Sequence, residues 1–182
     1  MNAFDGFRRG GERFRSLNVD SPQNEERYLA KAIELAISNV DNEGGPFGAL
    51  VVTPNGAQYP GVNRVTSNSD PTAHAEVMAI RNACSSIKNF DLSGAALYTS
   101  CEPCPLCLAA ALWARIDRVM FAADRYDAAS AGFDDAEFYR FFEQPVEERS
   151  MLVKQLEMAG AGAQARNQPF QRWNELATRI AY

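Results

Sequence analysis

The chain contains a single histidine, His74, and two cysteines about thirty residues downstream, and these three side chains most constrain its fold. Cys104 and Cys107 are separated by two residues, a spacing that places both thiols on one face of a helix start. One imidazole and two thiolates suit tetrahedral Zn²⁺, and three protein ligands leave the fourth position to water. The pattern therefore predicts a zinc site formed by His74, Cys104 and Cys107, which folding must bring together from two distant segments.

Glu76 follows the histidine by two residues, and Pro103 precedes the first of the two cysteines. His-x-Glu followed by Pro-Cys-x-x-Cys is typical of zinc deaminases that act on nucleobases, in which the glutamate is not a ligand but carries protons. A water bound to zinc ionises near neutral pH and becomes the nucleophile. We therefore expect Glu76 to be the catalytic proton carrier.

A closed structural zinc site is the competing interpretation of the same cysteines. Cys101 or Cys84 would then supply a fourth protein ligand, and such sites stabilise a fold without catalysing a reaction. Cys101 supports this alternative because it forms its own Cys-x-x-Cys pair with Cys104. Glu76 favours the open catalytic site, and Cys84 lies late in a predicted helix, where a free cysteine behaves as a small apolar residue.

Charge and composition limit the partners of the chain. Its 182 residues suffice for one compact domain, and its net charge is −5. Nucleic-acid binding usually needs a basic face, so we expect no nucleic-acid partner. No apolar run approaches the ~18–20 residues that span a bilayer, so we expect no membrane partner. The N-terminus lacks a secretory pattern and the cysteines are clustered, which favours metal binding in the cytoplasm over a disulfide framework.

Apolar periodicity predicts alternating strands and helices, which indicates an α/β layer fold. Ser21 and Pro22 are typical of a helix N-terminus, and apolar residues at helical spacing continue that helix to Val40. The other predicted elements are strands at 47–53, 58–63, 95–99, 118–122 and 151–157, and helices at 73–85, 105–114 and 169–180. The predicted domains are a mobile arm at 1–20, a zinc domain at 21–158, and a linker with a C-terminal helix at 159–182.

Several runs around the metal motif resemble the guanine deaminase family of bacteria, within the cytidine deaminase-like superfamily. The similar segments are Gly-Gly-Pro-Phe-Gly-Ala at 44–49, Ser-Asn-Ser-Asp-Pro-Thr-Ala-His-Ala-Glu at 67–76, Tyr-Thr-Ser-Cys-Glu-Pro-Cys at 98–104, Ala-Gly-Phe-Asp-Asp at 131–135, Pro-Val-Glu-Glu-Arg at 145–149, and Pro-Phe-Gln-x-Trp at 169–173 with the closing Tyr182. The resemblance covers 28–182 and implies a three-layer α/β/α sandwich around a five-stranded mixed sheet. It also implies a homodimer in which each C-terminal segment crosses to the partner and covers its active site.

The resemblance also implies a role for each matching residue. Glu76 would move a proton from the metal's water to the ring nitrogen of a base, and Asp135 would help to protonate the departing amine. The implied substrate contacts are the side chain of Asn63, the backbone of Ala75, the apolar walls Phe47 and Trp113, and the partner's Tyr182. Ordinary structural roles compete with these: a turn for Asn63, a solvated loop for Asp135, core packing for Phe47 and Trp113, and a frayed terminus for Tyr182.

The reaction that the resemblance implies is the hydrolysis of guanine to xanthine and ammonia with Zn²⁺ as cofactor. The same zinc chemistry on guanosine, an aminotriazine, cytosine or adenosine is the nearest alternative, because the shape of the pocket decides among these substrates. Adenosine within tRNA is disfavoured by the acidic composition of the chain. A non-catalytic module stabilised by zinc is the alternative from a different functional class.

Overall fold

A computed structural model describes residues 21–181 of the chain. The predicted arm at 1–20 and the predicted contact residue Tyr182 lie outside these residues. The chain divides into two compact units, the first ending at Arg140 and the second beginning at Phe141. This division precedes the predicted domain end at 158, because most apolar side chains at 141–158 are exposed rather than part of a core.

The described part of the first unit contains a sheet of four strands in the order β2-β1-β3-β4. Strand β1 (Gly48–Val52) pairs antiparallel with both β2 (Gln58–Val62) and β3 (Ala96–Cys101), and β3 pairs parallel with β4 (Arg118–Ala123). Every residue of β1 and β3 is buried, as expected of central strands that are covered on both faces. The strands predicted at 47–53, 58–63, 95–99 and 118–122 are therefore confirmed, with their ends shifted by one or two residues.

Helices cover both faces of this sheet. The helices that begin in the described part of the first unit are α1 (Pro22–Asp41), α2 (Val65–Asn68), α3 (Ala75–Ile87), α4 (Pro105–Trp113), α5 (Arg125–Ser130) and α6 (Ala136–Glu143). On one face α1 packs Tyr28 against Tyr98 of β3, with ring centroids 5.1 Å apart. On the other face α3 and α4 pack on the sheet around Leu97. The predicted three-layer α/β/α arrangement is confirmed, and no helix within 21–181 is long and apolar enough to cross a membrane.

Two glycines let the helices lie directly on the sheet. A Cβ atom on Gly61 of β2 would lie 2.3 Å from the carbonyl oxygen of Ala75 and 2.3 Å from the amide nitrogen of Ala79. A Cβ atom on Gly48 of β1 would lie 2.4 Å from the carbonyl oxygen of Ala32. Because these neighbours are backbone atoms, they cannot rotate away. Gly61 therefore sets how closely the first turn of α3 approaches β2.

The predicted fifth strand is wrong for the described chain. Residues 151–157 lie in the second unit without strand pairing, and Leu152 is 86% exposed. The apolar spacing of this segment is suitable for a strand, but a strand also needs a neighbouring edge to satisfy its backbone hydrogen bonds. Periodicity alone does not show whether such an edge is available.

The second unit is short, and the regular secondary structure among its described residues is helical. It contains a 3₁₀ turn at Val146–Glu148, α7 (Ala161–Ala165) and α8 (Gln168–Glu175). The predicted flexible linker at 159–165 is therefore partly helical, because alanines there supply high helix propensity. The final helix ends at 175 rather than at the predicted 180. Within this unit the guanidinium of Arg149 lies 5.2 Å from the ring centroid of Phe141.

We expect Gly61→Ala to lower the free energy of unfolding by about 3 kcal/mol, at the upper end of overpacking costs, because the new methyl group must push α3 away from β2. Gly56→Ala is the matched control. Gly56 has a φ of +83° and open space around it, so this change adds backbone strain without a clash. Chemical denaturation of both variants measures the difference, and equal losses would contradict the close approach at Gly61.

Candidate metal centre and active-site cavity

Three side chains from two helix starts converge in the first unit. His74 is the N-cap residue of α3, Cys104 is the N-cap residue of α4, and Cys107 lies in the first turn of α4. The Nδ1 atom of His74 lies 3.6 Å from Sγ of Cys104 and 3.4 Å from Sγ of Cys107, and the two sulfur atoms are 3.6 Å apart. The predicted trio is thus brought together from segments thirty residues apart.

These spacings fit a zinc ion. Tetrahedral bonds of about 2.3 Å to sulfur and about 2.0 Å to nitrogen put ligand atoms about 3.5–3.8 Å apart. The atoms of His74, Cys104 and Cys107 match that separation, and within 21–181 these are the residues that form a potential metal site. The donor set and its geometry therefore fit Zn²⁺, with one tetrahedral position left for a non-protein ligand.

Local structure explains why these side chains point at one place. His74 and Cys104 both have extended backbones, and neither side chain caps its own helix by a hydrogen bond. Pro105 occupies the first position of α4, where a missing N–H costs nothing. The positive ends of α3 and α4 both favour negative charge, so the two helix starts stabilise thiolates between them.

The protonation of the two thiols differs sharply. A hydrogen bond with Cys107 and another with His74 lower the pKa of the Cys104 thiol to about 4, although burial opposes this change. The hydrogen bond with Cys104, and then burial, raise the pKa of the Cys107 thiol. The two thiols therefore share a proton in the absence of metal, and a metal ion that binds both as thiolates displaces it.

Glu76 lies in the first turn of α3, next to the ligand trio, and is only 5% exposed. Its Oε2 atom accepts a hydrogen bond from the thiol of Cys107 at 3.3 Å, and its Oε1 atom accepts one from the hydroxyl of Thr99 at 2.9 Å. Burial raises the pKa of the Glu76 carboxyl. A carboxyl group that binds and releases protons closer to neutral pH is suited to general acid and base catalysis.

The closed zinc site is not formed in the described chain. Cys101 is buried, its Sγ atom lies 3.6 Å from the carbonyl oxygen of Asp124, and it is not part of the ligand cluster. Burial raises the pKa of Cys101 to about 11, which disfavours a thiolate. Cys84 lies near the end of α3, is partly buried, and packs against the hydrophobic core. Both cysteines therefore leave the fourth metal position unfilled by protein.

A cavity of about 550 Å³ opens beside the ligand trio. The phenyl rings of Phe47 and Phe133 meet edge to face with centroids 5.0 Å apart and form part of its wall. The other predicted site residues that line the cavity are Asn63, His74, Ala75, Glu76, Cys104 and Asp135. Its volume and its mixture of aromatic and polar walls suit a small planar molecule.

The structure does not place Trp113 at this cavity. Trp113 ends α4, its side chain is 65% exposed, and it is absent from the lining residues. The apolar partner of Phe47 in the described chain is instead Phe133, which lies in the Gly-Phe-Asp-Asp run. Trp113 as a wall of the pocket stays a prediction from the resemblance.

Asn39 is a buried residue near the site that sequence reasoning missed. Its Nδ2 group donates hydrogen bonds to the carbonyl oxygens of Gly45 at 2.8 Å and Asn63 at 2.9 Å, and both acceptor residues line the cavity. The Oδ1 atom of Asn63 accepts a hydrogen bond from the backbone of Val65 at 3.2 Å. A polar residue on the apolar face of a helix just before a Gly-Gly pair was the available signal.

A second missed group joins three elements around Asp135. The guanidinium of Arg125 forms a two-pronged ion pair with Glu102 and lies 3.8 Å from the ring centroid of Tyr139. The Tyr139 hydroxyl donates a hydrogen bond to the carbonyl oxygen of Pro103 at 3.0 Å, so α6 is tied to the loop that carries Cys104. Burial and then the negative Cys104 raise the pKa of Asp135, while Arg125 opposes them.

Comparison with known proteins extends the resemblance beyond the metal ligands. Residues 22–123 match the family described as the cytidine and deoxycytidylate deaminase zinc-binding region. Guanine deaminase of Bacillus subtilis is 44% identical over 160 residues, which cover 87% of this chain and 99% of that protein. A tRNA-specific adenosine deaminase of Haemophilus influenzae is 37% identical over 117 residues, covering 61% of this chain and 68% of that protein.

A solved structure agrees with these similarities. The X-ray structure of guanine deaminase from Bacillus subtilis superimposes with a TM-score of 0.80 at 45% identity, covering 86% of this chain and 98% of the other. The family match includes all three residues of the ligand trio and Glu76. This chain therefore belongs to the cytidine and deoxycytidylate deaminase family defined by that zinc-binding region.

Proposed function

We propose that this protein is a zinc-dependent guanine deaminase, which converts guanine and water to xanthine and ammonia. The observation that carries the proposal is the length of the similarity to the Bacillus subtilis enzyme. That match covers 160 residues, whereas the zinc-binding region accounts only for residues 22–123. The tRNA-specific adenosine deaminase of Haemophilus influenzae, by contrast, is similar over 117 residues, which cover 61% of this chain.

The metal supplies the activation of water. When zinc is bound by His74, Cys104 and Cys107, it lowers the pKa of a coordinated water from about 15.7 to about 7. The two thiolates balance the charge of the ion, and the N-terminal ends of α3 and α4 support them.

Glu76 moves the proton. Its Oε2 atom lies on the side of the metal ligands, 3.3 Å from Sγ of Cys107. Burial raises the pKa of this carboxyl, which suits it to accept a proton from the metal's water and to pass it to a ring nitrogen of the substrate. The cavity that it lines gives a planar base access to the same oxygen atom.

Asp135 and Asn63 orient the base and its leaving group. Both line the cavity, and the rings of Phe47 and Phe133 offer an apolar surface for a flat purine. The raised pKa of Asp135 suits it to donate a proton to the departing amine. The backbone of Ala75 lies in the same wall.

The proposal includes a homodimer in the cytoplasm. Large apolar side chains are exposed in the second unit, including Leu152, Leu156 and Phe170, and contacts with a second chain would bury them. The four free cysteines fit a reducing compartment. If the C-terminal segments are exchanged between the two chains, the partner's segment covers this cavity and brings the partner's Tyr182 to the substrate. A solution mass of twice 20.1 kDa is expected for the intact protein.

We expect Glu76→Gln to keep zinc bound and to lower kcat by about 100-fold or more, because the amide keeps the shape of the side chain but does not carry a proton. Metal analysis and xanthine formation measure the two effects. The exposed Glu34 on α1 provides a control, since Glu34→Gln makes the same chemical change away from the cavity. Retention of more than about a tenth of the activity would show that Glu76 is not the proton carrier.

We expect kcat/KM for guanine to exceed the values for guanosine and cytosine. Guanosine must place a ribose in a cavity of about 550 Å³ that the partner's tail also covers, and cytosine fills less of the aromatic wall. Ammonia release from the three compounds under identical conditions measures the order. A larger value for guanosine or cytosine would overturn the assignment of guanine while leaving the zinc chemistry intact.

A further inference from the structure

A buried hydroxyl group holds one oxygen atom of Glu76. Thr99 lies in the central strand β3, is fully buried, and donates a hydrogen bond from Oγ1 to Oε1 of Glu76 at 2.9 Å. A carboxylate buried to this degree needs donors, because an unpaired charge away from water is strongly unfavourable. Among residues 21–181, the side chains that donate hydrogen bonds to this carboxylate are those of Thr99 and Cys107.

The two oxygen atoms of Glu76 have different surroundings. Oε1 faces the hydroxyl of Thr99, whereas Oε2 faces the thiol of Cys107 at 3.3 Å. A cysteine that binds zinc does so as a thiolate and no longer has a proton to donate. The hydrogen bond from Cys107 is therefore lost in the metal-loaded protein, and the one from Thr99 remains.

The location of Thr99 makes its hydroxyl a rigid support. Strand β3 lies between β1 and β4, where Thr99 pairs with Ala49 on one side and Phe121 on the other. A β-branched side chain also has few rotamers, so the direction of the hydroxyl is restricted. Glu76, by contrast, has a longer side chain whose carboxyl plane is free to rotate unless something fixes it.

We propose that Thr99 is a positioning residue, which anchors Oε1 of Glu76 so that Oε2 alone faces the metal site and transfers the proton. This inference rests on the proposed function only in taking Glu76 as the proton carrier. Thr99 belongs neither to the ligand trio nor to the residues that line the cavity, and it acts through the carboxylate. Its loss should impair the chemical step rather than the binding of the base, because misplacement of a catalytic group by about 1 Å can cost up to about 100-fold in rate.

The direct test is Thr99→Val, which keeps the shape and removes the hydroxyl. We expect kcat to fall by about 10–100-fold, with KM for guanine nearly unchanged and zinc retained. Thr99→Ser restores the hydroxyl and should recover most of kcat. If the valine variant does not fold, the pair Thr99→Ser and Thr99→Ala differs only in the hydroxyl and allows the same comparison.

Ser100→Ala is the matched control for a purely structural effect. Ser100 is the next residue of β3, and its hydroxyl accepts a hydrogen bond from the backbone amide of Gly48 at 3.1 Å. Its removal costs a buried hydrogen bond in the same strand without touching Glu76. We expect a comparable loss of melting temperature with kcat nearly unchanged.

Three outcomes would overturn the positioning role. One is an unchanged kcat in Thr99→Val, another is a loss of zinc in that variant, and the third is an equal fall of kcat in Ser100→Ala. Comparing Thr99→Val with Glu76→Gln, first as single variants and then as the double variant, separates this inference from the proposed function. An inactive Glu76→Gln enzyme beside a fully active Thr99→Val enzyme rejects only the role of Thr99, whereas an active Glu76→Gln enzyme rejects Glu76 as the proton carrier. If both proposals hold, Thr99→Val causes no further loss in the Glu76→Gln background.

Discussion

The convergence of two helix N-termini on one point is the constraint on which the rest of the site depends. His74 begins α3 and Cys104 begins α4, and the ligand atoms of the trio lie 3.4–3.6 Å apart. This geometry requires α3 to lie directly against the sheet, which the missing side chain of Gly61 permits. It also requires β3 to end close to the start of α4, because the loop between them leads to Cys104. Strand β3 therefore contains Thr99 and also positions the loop to the metal ligands. The close packing of α3 against the sheet at Gly61 is therefore a condition for metal binding.

The electrostatics of this point favour a cation. Glu76, Cys104, Cys107 and Asp135 bring several acidic groups together, and each carboxyl has a raised pKa because of burial and its negative neighbours. A divalent metal ion offsets the negative charge of the two cysteines, so both can lose their protons and bind the ion as thiolates. Because zinc binds the folded arrangement and not the separated segments, its binding also stabilises the fold. Arg125 balances part of the remaining negative charge near Asp135.

The features of the fold and the site that could be predicted from the sequence are those with short residue spacing or strong apolar periodicity. The metal trio follows from the residue types and their spacing, and α1 follows from Ser21, Pro22 and a helical apolar pattern. The prediction of a fifth strand at 151–157 is wrong for the described chain, because an apolar pattern does not show whether a sheet edge lies near enough to pair with it. The support from Thr99, Asn39 and Arg125 was missed for a different reason. Each of them takes part in a hydrogen bond between residues 23 or 24 positions apart, so the local sequence does not show these partners.

The central claim is that zinc is held by three protein ligands with one open position. X-ray absorption at the zinc edge of the purified protein tests this most directly. We expect about one zinc per chain, with two sulfur ligands at about 2.3 Å and two nitrogen or oxygen ligands at about 2.0 Å. The nitrogen would come from His74 and the second light atom from water. Three sulfur ligands would show that Cys101 or Cys84 closes the site, and less than about half an equivalent of zinc would contradict the metal site itself.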